Sequence, residues 1–161
     1  MRGQERRKAM AVNVGQRNVP FTAANTMFYA VDAARRMAVY TTKICSNKKV
    51  FVPEYKGFTK KIVKTALSIY SLAWAANNVR VTCPADWKIR SKKQKKSIAK
   101  CYSLLGFIDM ARSLFHLRGS RVKHWTHLVK EARDMIRNWH SKDRIRYANL
   151  ASFSYPLMEA S

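Results

Sequence analysis

Apolar residues recur every three or four positions through most of this chain, the spacing that keeps one face of a helix against a core. From Phe21 to Asn47 a stripe of Met27, Val31, Ala34, Ala38, Thr41 and Cys45 predicts a first helix, ended by Ser46-Asn47. Pro53 and Gly57 mark the connection that follows. A second helix runs from about Thr59 to Asn78. Ile62, Ala66, Ile69, Ala73 and Ala76 form its main row, with Val63, Leu67, Tyr70 and Trp74 beside it. Two adjacent rows make a wide stripe, which predicts neighbours on more than one side and hence self-association.

Asp86 is placed to cap a third helix that reaches about Leu117. Its first half is basic, and its second half carries Cys101, Leu104, Leu105, Ile108, Ala111 and Phe115. Gly106 lies inside it at a cost of roughly 1 kcal/mol against alanine, which close packing on another backbone would explain. Arg118-Gly119 reads as its stop. Ser120 then caps a fourth helix running to Arg146, whose row is Trp125, Leu128, Val129, Ala132, Met135, Ile136 and Trp139. Alternation of period two is absent, so strands are not expected. Four amphipathic helices on short connections predict an all-α, up-down four-helix bundle over 21–146. Residues 1–20 read as a basic mobile arm and 147–161 as a C-terminal tail.

Charge changes the picture from fold to partner. The chain has 161 residues, with 32 Lys+Arg against 9 Asp+Glu, a formal net charge of +23. Hydrophobic residues make up 47%, so this charge decorates a folded chain rather than a disordered one. Self-repulsion on this scale destabilises a compact state, and a polyanion relieves it. Nucleic acid is the commonest polyanion. The longest apolar run is too short for a membrane span, and the basic start lacks the apolar core of a secretory signal. Cys45, Cys83 and Cys101 form no CxxC pair, an odd count that suits a reducing cytoplasm.

The densest basic stretch supplies Lys88, Arg90, Lys92, Lys93, Lys95, Lys96 and Lys100, spread around the third helix without acids to pair them. Lysine predominates, which suits contact with phosphates more than reading of bases. The plainer alternative is a solvated face. A second basic surface would come from Arg121, Lys123, Lys130, Arg133, Arg137, Lys142, Arg144 and Arg146. The competing reading is a solvent face salt-bridged to Glu131, Asp134 and Asp143. Arg112 stands among apolar residues, pointing either into an interface or out to water.

Catalytic patterns are missing. The sequence has no nucleophile elbow, Walker loop or glycine-rich phosphate cradle. Its acids are too scattered for two-metal chemistry. His124, His127 and Glu131 have a spacing that can arise by chance in any helix, and the two histidines are more simply read as flanking Trp125. No catalytic residue, metal or cofactor is therefore assigned.

Several segments, in order, resemble a known family. They are Tyr40-Thr41-Thr42-Lys43-Ile44-Cys45-Ser46-Asn47-Lys48-Lys49-Val50-Phe51, then Tyr55, Phe58-Thr59, Lys61-Ile62, Ala66-Leu67-Ser68-Ile69-Tyr70 and Ala75-Ala76-Asn77. His124-Trp125-Thr126-His127-Leu128-Val129, Ile136-Arg137-Asn138-Trp139 and Ser141-Lys142-Asp143 follow. Together they resemble the accessory variability determinant (Avd) proteins of diversity-generating retroelements, over about 39–146. The resemblance implies a four-helix bundle assembled as a homopentameric barrel. It also implies a non-catalytic accessory protein that binds the element's reverse transcriptase, its template RNA and the cDNA, and supports priming and mutagenic cDNA synthesis. The alternative is a stand-alone RNA-binding or ribosome-associated bundle, similar to the four-helix family encoded by intervening sequences of large ribosomal RNA genes.

Overall fold

The computed structural model describes residues 23–151, with side chains from residue 27 onward. The arm at 1–20 lies outside the described residues, as does the tail beyond 151. The described chain is all-helical. Helix α1 spans Ala23–Cys45, and a short 3-10 turn at Pro53–Tyr55 leads into α2, Lys56–Asn78. Helix α3 spans Pro84–Leu114, α4 Gly119–Arg146, and a final turn, α5, Ala148–Ala151. No strand occurs among the described residues, and none of their helices is long and apolar enough to cross a membrane.

The four long helices form a square in chain order: α1 packs on α2 and α4, and α3 packs on α2 and α4. Contacts between opposite ends show that neighbours run antiparallel. Trp125, early in α4, donates its indole N–H to Thr41, late in α1, at 2.8 Å. Phe58, early in α2, meets Phe107, late in α3, with ring centroids 5.9 Å apart. The core rows follow the apolar periodicity. Ile62, Ala66, Ile69, Ala73 and Ala76 of α2 are buried, as are Trp125, Val129, Ala132, Ile136 and Trp139 of α4. Trp125 brings a polar atom into this core, and its bond to Thr41 avoids the roughly 1–3 kcal/mol cost of an unpaired buried donor.

The helix ends differ from the expectation. Asp86 is not the cap of α3. Cys83 holds that position and Pro84 opens the helix, while the Asp86 carboxylate reaches back to accept from the Thr82 and Cys83 backbone N–H groups at 3.0 and 3.2 Å. These bonds pull the Asp86 carboxyl down to about 2, favouring its charged form at the positive end of the helix. Helix α3 stops at Leu114 rather than Leu117, and the stop is His116, not Gly119. His116 adopts a left-handed φ of 50°, and the Leu117 N–H returns to the Arg112 carbonyl at 3.1 Å, the long bond of a Schellman motif. With the reversal three residues earlier than expected, Gly119 becomes the first residue of α4 and Ser120 lies inside its first turn. Gly106 is not at a close helix contact either, because a Cβ built there meets nothing within 4 Å.

Candidate nucleic-acid interface

The core row of α3 runs the full length of the helix, through the segment whose composition is basic. Trp87, Arg90, Gln94 and Ser97 are buried in register with Cys101, Leu104, Ile108 and Ala111. This register sorts the cations of the basic stretch. Lys88, Lys92, Lys95 and Lys96 are exposed on the outer face, while Lys93 and Lys100 are half-buried on the flank.

Arg90 is the exception, only 5% exposed, and its assignment as a phosphate contact is corrected accordingly. Its Nε donates to Asp143 Oδ2 at 2.8 Å, an oxygen that also accepts from Gln94 Nε2 at 2.8 Å. Its Nη1 donates to the Val79 carbonyl at 3.3 Å, and its guanidinium lies 5.1 Å from the Trp139 ring centroid. Arg90 thereby joins α3 to α4 and to the end of α2. Sequence reasoning missed Asp143 as its partner. The signal was present, because Asp143 continues the α4 row four residues beyond Trp139.

The outer lysines border an open groove of about 890 Å³ whose walls include Trp87, Ser91 and Ala99 from α3 and Leu150 and Ala151 from α5. On the α4 side of this face, His140 shares a hydrogen bond with the Ser91 hydroxyl at 3.0 Å and stacks on Trp87. Burial, then the charges of Lys95 and Arg144, hold the imidazole below its ordinary pKa, with Asp143 opposing. Further along, Arg133 lies over Tyr102 of α3, 5.2 Å from the ring centroid, and Arg137 donates to the Tyr102 hydroxyl at 3.2 Å. Arg133 is also paired with Asp134 at 2.8 Å.

On the α2 side the basic surface gains residues that the sequence reading left out. Lys60, Lys61 and Lys64 of α2 line a second groove, of about 470 Å³, with Lys100, Thr65 and Ser68. Their spacing repeats the three-to-four rhythm, but the apolar row beside them drew attention to the core. Other expected contacts lie elsewhere. Arg112 is exposed near the end of α3, Lys123 and Lys130 are exposed on α4, and Arg121 joins Lys49, His116 and Arg118 at the far end of the bundle.

Two acids are engaged by arginines at the seam between α1 and α4. Asp32 of α1 accepts from Arg35 at 2.8 Å and Arg36 at 3.0 Å, and Arg36 continues to Glu131 of α4 at 3.2 Å. Glu131 is thus committed to Arg36, and His124 packs edge-on against Tyr40. His124, His127 and Glu131 do not form a joint site, and no group of three His, Cys, Asp or Glu able to hold a metal occurs among the described residues. Burial raises the Cys45 and Cys101 thiols to about 12, which suppresses thiolate chemistry. No family model, curated protein or solved structure matches the chain, so its likeness to the Avd proteins rests on the order of short motifs alone.

Proposed function

We propose that this chain is a non-catalytic, nucleic-acid-binding helical bundle whose phosphate-contacting face is centred on α3. The observation that carries the reading is the outward row of Lys88, Lys92, Lys95 and Lys96, which makes no ion pair among the described residues, on a helix whose opposite side is committed to the core. Lys60, Lys61, Lys64 and Lys100 extend it across α2. Lysine heads at the surface offer mobile point charges, suited to a phosphodiester backbone and indifferent to base sequence.

Following the likeness to Avd proteins, the nucleic acid is the template RNA and cDNA of a diversity-generating retroelement, and the protein works beside that element's reverse transcriptase. Self-association into a homopentamer belongs to the same proposal. The exposed row of Val39, Leu67 and Trp74 along α1 and α2 is a surface that such an assembly would cover. Co-purification of a reverse transcriptase and its template RNA with the tagged protein supports the partnership, and recovery of ribosomal RNA alone would replace it with the stand-alone RNA-binding reading.

Phosphate contact is tested by salt. Affinity for RNA should fall by roughly three to five decades between about 50 and 200 mM salt. Replacing Lys92, Lys93, Lys95 and Lys96 by glutamine should shallow the log–log slope by about 3. A slope unchanged in that variant places the contact elsewhere.

A further inference from the structure

The outward face of α3 changes character halfway along. Lys88, Lys92, Lys95 and Lys96 fill its first half, and exposed Ala99, Ser103 and Gly106 follow on the same face. A Cβ at Gly106 would meet nothing within 4 Å. Long side chains therefore give way to a bare shelf, and Tyr102 stands at its edge, 50% exposed.

Tyr102 is held by two cations of α4. The Arg133 guanidinium lies over its ring at 5.2 Å, and Arg137 donates to its hydroxyl at 3.2 Å. A ring fixed in this way loses little conformational freedom when a ligand meets it. Asp134 already pairs with Arg133 at 2.8 Å, so phosphate gains little there, whereas a base can stack on the ring face that the guanidinium leaves free, in a ring polarised by the cation behind it. Seven residues of helix put Tyr102 about 10 Å beyond Lys95, within reach of the same strand.

We propose that Tyr102, with Arg133 and Arg137 behind it, is a stacking platform for an unpaired base of the strand whose phosphates lie along Lys88, Lys92, Lys95 and Lys96. The site takes single-stranded nucleic acid, since a paired base keeps its faces inside its own stack. This inference rests on the nucleic-acid reading above, and the test separates the two.

The full chain would be titrated, by fluorescence anisotropy, with a labelled adenine-only single strand and, separately, with labelled heparin, a polyanion without bases. Tyr102→Ala should weaken the single strand about tenfold and leave heparin unchanged. Tyr102→Phe should retain most of the affinity, because the ring and not the hydroxyl stacks. Equal weakening of both ligands by Tyr102→Ala, or of neither, overturns the platform while leaving phosphate binding intact. A parent protein that binds neither ligand overturns the nucleic-acid reading itself.

Discussion

Arg90 exchanges water for neighbours that only the assembled bundle provides: the Asp143 carboxylate, the Val79 carbonyl and the face of Trp139. Desolvating a guanidinium and a carboxylate is costly, and the pair is stable only while both members are present. Arg90→Gln should therefore lower stability by about 3–5 kcal/mol, measured by urea denaturation, with no loss of RNA affinity in the protein that stays folded. A variant as stable as the parent would show that the clamp contributes nothing. The identities of the cations were readable from the sequence; their directions were not all readable. Arg90 and Lys88 lie two positions apart in one basic run, yet one faces the core and the other faces water. Charge alone predicts that both are outside. The correct division follows the apolar row backward from Leu104 and Cys101 through Ser97 and Gln94, two polar residues that interrupt its hydrophobic signal.

Among the elements, the rows of α2 and α4 were legible because each buries an almost uninterrupted apolar series. The boundary between α3 and α4 was not, because its stop is a histidine in a conformation usually taken by glycine. A left-handed non-glycine residue costs roughly 1–2 kcal/mol. The Schellman hydrogen bond and the burial of Leu117 after it offset this strain. His116→Gly should raise the melting temperature by about 2–4 °C, read by thermal circular dichroism. A lowered melting temperature would mean that the imidazole makes contacts worth more than the strain. Helix α2 shows the complementary case. Its second apolar row was expected to meet neighbours, but within one chain Leu67 and Trp74 are about half exposed. Periodicity registers that a surface is apolar without registering whether the same chain or another copy covers it.

At the scale of the molecule, the net charge of +23 is distributed unevenly. The seam between α1 and α4 holds Asp32 and Glu131 in a network with Arg35 and Arg36, while α3 and its flanks present lysines. The apolar row of Val39, Leu67 and Trp74 along α1 and α2 is exposed within one chain, and the proposed self-association would cover it. Light scattering at micromolar concentration should give a mass near five chains, and Leu67→Glu with Trp74→Glu should reduce it to one. A parent protein that scatters as a single chain would remove the pentamer but leave the basic face in place. His140 offers a view of that face from beneath. Its lowered pKa reflects burial first and then repulsion from Lys95 and Arg144. Protonation is harder in the folded chain than in the unfolded one, so this group's contribution to stability is present above about 6.5 and is lost as pH falls below that value through the lower folded-state one. Phosphates settling on Lys95 would remove part of the repulsion, so binding should be accompanied by proton uptake. The imidazole is consequently an internal gauge of occupancy. In an NMR titration its C2–H midpoint should move upward when RNA is added, reporting the ligand's arrival from inside the protein without a label on either partner.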